Sequence, residues 1–222
     1  SKAVTKSLSR EDLSGIEYVF SWLGDTDLLL AIIKLIEDRM NVDHDVKTVG
    51  VQTIMLVEDS VRFYSSALSL LYKYVLSESK EFSKEALNDH LQMLRMRGRP
   101  KILLARNYEE AVSYYNKYGD NMLGIISDMS FNHKGEKDRL AGKKLGEWIR
   151  SIDPDMPFIF TSSESENSNH IDKSKDVFID KNSKTFPQDL FKAIKENLGF
   201  GDFIIIDPNS KKEIFRIRNL KS

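Results

Sequence analysis

The chain has 222 residues, 41% hydrophobic and 30% charged, with a formal net charge of -1. It can bury a sizeable core, and its charge gives no argument for nonspecific nucleic-acid binding or for a membrane surface. It has no cysteine, which excludes disulfide scaffolds, thiolate metal sites and thiol nucleophiles and fits a cytoplasmic location.

Residues 17–22 (EYVFSW) read as a short strand and GDTDLLLAIIKLIEDRMN as a helix. Asp25 or Thr26 can cap that helix, and Leu28, Leu29, Ile32, Leu35 and Ile36 form an apolar stripe at helical spacing. Its longest apolar run, LLLAIIKLI, is broken by Lys34 and is shorter than the about 20 residues a membrane span needs. From Val51 onward strands and helices alternate. VQTIMLV is a strand, and the following helix carries Tyr64, Ala67, Leu68, Leu71 and Val75 on one face. Residues 78–98 read as an extra helical excursion ending in the basic RMRGRP. PKILLA is the second strand, and NYEEAVSYYNKY is a helix with Asn107 and Glu110 spaced as a capping box.

LGIISD is the third strand, MSFNHKGEKD a polar loop, and RLAGKKLGEWIRSI a helix. PFIFTSS and VFID are the fourth and fifth strands. Between them only Ile171 is strongly apolar, so the helix expected there is short or loose. PQDLFKAIKENLG is a helix with Pro187 in its first turn, and the tail reads as a hairpin turning at DPNS. Strands that are apolar throughout and alternate with helices predict a doubly wound parallel sheet. The four histidines are scattered without ligand spacing and read as surface residues, and RMRGRPK reads as a basic loop edge. Trp22 and Trp148 read as core or interface.

In such a sheet the carboxyl ends of the strands open on one edge, where ligands bind. The first strand ends in Glu58 and Asp59, the third in Asp128, the fourth in Thr161 and Ser162, and the fifth in Lys181. Taken singly, each has a plainer reading: the acid pair as a helix start, Asp128 as a turn residue, Ser162 as a strand end, Lys181 as a solvated lysine. Taken together they suit a Mg²⁺ site beside a phosphorylatable acid. A hard cation relieves the repulsion among three carboxylates, and Lys181 supplies a fixed positive charge for phosphoryl oxygens.

This arrangement resembles the receiver domain of two-component response regulators. The resemblance implies a flavodoxin-like five-stranded sheet in the order 2-1-3-4-5, with Glu58 and Asp59 as metal-binding acids and Asp128 as phospho-acceptor. It implies further a metal-binding backbone carbonyl at Met129, Lys181 as the lysine, Phe178 as the switch aromatic and Gly142 as the glycine opening the third helix. In the family the hydroxyl lies five residues after the proline opening strand four; counting from Pro157 favours Ser162 over Thr161. Departures are Asn182 where the family usually has proline after a cis peptide, Ser163 in place of a small residue, and the polar stretch 164–176.

VFSWLGDTDLLLAIIKLIEDRMN, VEDSVRFYSSALSLLYKY, RPKILLARNYEEA and LGFGDFIII are similar to the receiver-like region ahead of phosphoenolpyruvate/pyruvate-binding domains, in proteins related to phosphoenolpyruvate synthase and pyruvate phosphate dikinase. The expected organisation is then a strand–helix extension over 1–50, a receiver over 51–198, and a hairpin over 199–222 leading to a downstream phosphotransferase module. The start without Met and the uncapped end RIRNLKS fit an excised piece of a longer protein. Implied partners are a histidine kinase or small phosphodonor and the downstream module; separately, the stripe of the 25–40 helix is either core or a surface for a second copy of the chain. The competing reading is a pseudo-receiver used for docking or allosteric control. A phosphatase with an aspartate nucleophile fits worse, because it needs a second Asp two residues after the nucleophile, where Ser130 stands.

Overall fold

A computed structural model describes residues 17–22, 24–84, 98–172 and 174–198, and the strands at 203–206 and 213–217. In chain order the elements are α1 (Asp27–His44), β1 (Thr53–Val57), α2 (Val61–Lys84), β2 (Lys101–Ala105), α3 (Tyr108–Tyr118), β3 (Met122–Asp128), β4 (Phe131–His133), β5 (Glu136–Asp138), α4 (Ala141–Arg150), β6 (Phe158–Ser162), β7 (Val177–Asp180), α5 (Phe186–Asn197), β8 (Phe203–Ile206) and β9 (Glu213–Ile217). Five of them form one parallel sheet in the order β2-β1-β3-β6-β7. This is the flavodoxin-like order expected from the sequence, with the β4–β5 hairpin interposed.

Strand β1 inside the sheet and strand β2 at its edge are both buried along their whole length, which explains their unbroken apolar sequences. One face of the sheet is covered by α2, through Tyr64, Ala67, Leu68, Leu71 and Val75, and by α5, through Leu190, Ala193 and Ile194. The other face is covered by α3, through Ala111 and Tyr115, and by α4, through Ala141, Leu145 and Ile149. Two helical layers thus clamp the sheet and hold its carboxyl edge fixed. The capping box of α3 is half formed as expected: the Glu110 N–H donates to Asn107 Oδ1 at 2.8 Å, but the Glu110 carboxylate takes the Arg106 N–H, also at 2.8 Å.

Several expectations are corrected. Residues 17–22 are not a strand; they run along α2, where Tyr64 donates to the Val19 carbonyl and the Ser21 N–H donates to Ser65 Oγ. The sheet edge beside β2 is already taken by α1. That helix buries Leu28, Ala31, Leu35, Asp38 and Val42, whereas Leu29 and Ile36 of the expected stripe are exposed. Asp25 rather than Thr26 supplies the side-chain cap, accepting from the Asp27 N–H at 2.9 Å. The described end of the basic stretch is not a surface edge: Arg99 and Lys101 are buried, and residues 95–97 lie outside the described residues. Both Arg99 terminal nitrogens donate to Asp38, at 2.9 and 2.6 Å, and Tyr72 Oη and the Ile102 N–H also donate to it, at 2.9 and 3.0 Å. Lys101 pairs with Asp45 at 2.8 Å.

Residues 78–84 simply continue α2, and the rest of the expected excursion, 85–97, lies outside the described residues. The polar loop after β3 is a tight β4–β5 hairpin, turning on Lys134 and Gly135 with φ of 56° and 82°. The weak helix after β6 is a 3₁₀ turn over Ser165–His170. Trp22 is exposed, while Trp148 meets Tyr115 edge-on. The tail forms the antiparallel pair β8–β9, and the DPNS turn lies outside the described residues. Among the described residues no peptide bond is cis, that between Lys181 and Asn182 included. No described helix is long and apolar enough to cross a membrane.

Candidate metal and phosphoryl site

The first strand carries its ladder one residue past its end, with the Glu58 N–H donating to the Ala105 carbonyl at 2.9 Å, and then turns into α2. Glu58 Oε1 accepts the Ser60 N–H at 3.0 Å, so the acid serves the helix start as the plainer reading expected. It also does more. Its Oε2 accepts from Lys181 Nζ, and Lys181 Nζ lies 2.9 Å from Asp128 Oδ1. One oxygen each from Glu58, Asp59 and Asp128 falls within 4.8 Å of the others. Four residues from three strand ends, β1, β3 and β7, therefore meet at one point.

Burial sets the electrostatics. Glu58 is 3% and Asp128 8% exposed. Loss of water raises the Glu58 pKa to about 7 despite the Lys181 ammonium, with the Asp128 charge adding to the rise. Asp128 is raised by burial as well, against the pull of Lys181. The Met129 N–H and Lys181 both engage Oδ1 of Asp128. Its Oδ2 has no hydrogen-bond partner among the described residues.

The two hydroxyls diverge. Thr161 stands opposite Asp128 in the β3–β6 ladder and lines a cavity of about 170 Å³ with Glu58, Phe63 and Lys181. Ser162 points to the other face, where its Oγ accepts from the Glu164 N–H at 3.0 Å and from Asn167 Nδ2 at 2.9 Å. Its main-chain carbonyl accepts the Lys181 N–H at 2.8 Å, and Asn182 Nδ2 donates to the Ser163 carbonyl at 2.8 Å, tying the β6 and β7 ends together. Phe178 pairs with Phe160 across the sheet and packs, half-buried, on the α4 side.

The Met129 carbonyl accepts the Gly142 N–H at 3.1 Å. The approach is close enough that a Cβ on Gly142 would lie 2.2 Å from the Asp128 carbonyl oxygen and 3.0 Å from Met129 Cα, so glycine is required at the start of α4. One functional neighbour escaped the sequence reading. Lys137 Nζ donates to both Asp59 oxygens, at 2.9 and 2.7 Å, and to the Ser130 carbonyl at 2.7 Å. The signal that could have found it is HKGE, a two-residue turn that folds the loop back on itself.

No protein-family model matches the chain, and no curated protein matches it by sequence. Among solved structures it is similar to a response regulator receiver protein from Sinorhizobium medicae WSM419, at 14% identity and TM-score 0.42 over 68% of this chain and 98% of that one. It is also similar to a response regulator receiver domain protein from Clostridium thermocellum, at 18% identity and TM-score 0.44 over 67% and 95%. A third similarity is to the response regulator protein TrrA from Thermotoga maritima, in complex with Mg²⁺–BeF, at 17% identity and TM-score 0.41 over 65% and 97%. The fold and the site are read from this chain's own strand order and side chains.

Proposed function

We propose that the protein is a two-component receiver that accepts a phosphoryl group on Asp128 and passes the change to a downstream module. The observation that carries this reading is the free Oδ2 of a buried aspartate, held beside an ammonium and two further carboxylates. The donor set fits a Mg²⁺ ion: hard oxygen ligands from Glu58, Asp59 and Asp128, with a main-chain carbonyl to complete it. Met129 is the carbonyl expected from the family resemblance, but it already receives the Gly142 N–H; the Ser130 carbonyl faces a cation with Asp59. When bound, Mg²⁺ supplies neutralisation of charge on the phosphoryl oxygens.

The chain's own residues do the rest. Asp128 Oδ2 attacks phosphorus and forms the O–P bond, while the P–N bond of a phosphohistidine or the P–O bond of an acyl phosphate breaks. The leaving group departs with the electron pair. Lys181 holds Asp128 in place and meets the added charge, roughly -1.5 to -2 if the acyl phosphate behaves like other phosphoresidues. Ser162, which here faces Glu164 and Asn167 on the side away from the Thr161 hydroxyl, has to turn toward the site to donate its proton to a phosphoryl oxygen, and Phe178 on the neighbouring strand follows that movement. The partners are a histidine kinase or a small phosphodonor. By sequence resemblance, the module acted upon is a phosphoenolpyruvate/pyruvate-binding phosphotransferase.

Incubation with Mg²⁺ and acetyl phosphate should add one phosphoryl group by intact-mass spectrometry, and Asp128→Asn should abolish the gain. Beryllofluoride should shift the amide resonances around Asp128 and Lys181. No mass gain together with unshifted resonances would overturn the reading. A second reading, docking or allosteric control without phosphorylation, is favoured by the Lys137 ammonium seated on Asp59.

A further inference from the structure

The acidic cradle holds two ammonium groups, and the second comes from an unexpected place. Lys137 Nζ is shared by the two oxygens of Asp59 and the carbonyl of Ser130, all within 2.9 Å. Carboxylate and carbonyl oxygens converging on one charge are the ligands a hard divalent cation takes. The position is built, since the hairpin that carries it is held on both sides. Phe131 is fully buried, His133 stacks on Tyr108 with ring centroids 4.2 Å apart, and the Lys134 N–H donates to Glu109 at 2.9 Å. Asp138 accepts from the Leu140 N–H and from Lys144, at 3.0 and 2.6 Å. Pairing of Asn132 with Lys137 then fixes where the lysine leaves the backbone.

We propose that Lys137 is a tethered cation that occupies the Asp59–Ser130 position and competes with the divalent metal, so that metal enters only as the lysine swings out. The proposal rests on the metal-site reading given above and adds a gate to it. The lysine is suited to leaving: its side chain is 53% exposed, and an exposed pair of this kind is weak. With Lys181 still bound to Glu58 and Asp128, only one of the two ammoniums has to move.

The probe is Mn²⁺, followed by electron paramagnetic resonance and by titration calorimetry on the wild type, Lys137→Met and Lys137→Arg. Lys137→Met should bind Mn²⁺ about twofold to fivefold tighter, the range an exposed ion pair moves an equilibrium. Lys137→Arg should keep the wild-type affinity. Equal affinity in the wild type and Lys137→Met, or weaker binding by Lys137→Met, would overturn the gate while the metal site stands. Absence of binding in all three would overturn both the gate and the site it guards.

Discussion

Gly142 shows how tightly single residues define this site. Its N–H reaches the Met129 carbonyl, and a side chain there would strike the Asp128 main chain at 2.2 Å. Backbone cannot yield as a flexible side chain can, so Gly142→Ala should cost about 2–3 kcal/mol in urea unfolding, at the upper end of overpacking changes. The same variant should weaken Mn²⁺ binding, because the shift falls on Asp128. Wild-type stability would show that α4 relaxes instead. At this scale the acids were legible in the sequence. A strand that ends in charge declares where its carboxyl end lies, so Glu58, Asp59, Asp128 and Lys181 could be assigned to one edge before any coordinates. Lys137 was only half legible, because HKGE marks the turn but not the hairpin register, and a slip of one residue flips every side chain. The choice of hydroxyl turned on strand alternation, which puts Thr161 and Ser162 on opposite faces of β6.

Among the elements, α1 is the one whose sequence misleads. Counting apolar spacing selects Leu29 and Ile36, yet both are exposed, and the buried face includes Asp38 at 0% exposure. Helical periodicity finds apolar faces and overlooks a face that centres on an ion cluster. Asp38 receives Arg99, Tyr72 and a main-chain N–H at once, which compensates its desolvation. Removing the carboxylate by Asp38→Ala leaves the Arg99 charge buried without its partner. Such losses run to about 3–5 kcal/mol, and chemical denaturation should show a drop of that size. A change below about 1 kcal/mol would mean the guanidinium finds water or Glu37, 3.5 Å away, to replace it. The 3₁₀ turn after β6 was legible for the opposite reason: with a single strongly apolar residue, Ile171, the segment has no face that would stabilise a longer helix.

For the whole molecule, the buried acids govern how stability varies with pH. Glu58 titrates near 4.5 when unfolded and at about 7 when folded without metal. Between those values the folded state binds more protons than the unfolded one, so stability falls as pH rises through that window. The loss from Glu58 alone is about 3 kcal/mol at most, at about 1.4 kcal/mol per pH unit, and Asp128 adds in the same direction. Carboxylates lowered by lysine partners, such as Asp43 and Asp138, act below this range. Unfolding in chelator at pH 5 and pH 8 should show the decline, and Glu58→Gln should flatten it. Equal wild-type stability at the two pH values would contradict the burial argument. The parallel sheet was legible because unbroken apolar strands alternate with helices, whereas its strand order came from the receiver resemblance, since alternation alone leaves several topologies open.

Asp38 has one more consequence, through its bond to the Ile102 N–H. Ile102 belongs to the outermost strand, and an unmet donor there invites a strand from a neighbouring molecule. With α1 laid along that border and its carboxylate fastened to the donor, lateral growth of the sheet is blocked on the β2 flank. Within the five-stranded sheet, a fibril seed or intruding peptide strand is left with β7, at the opposite margin.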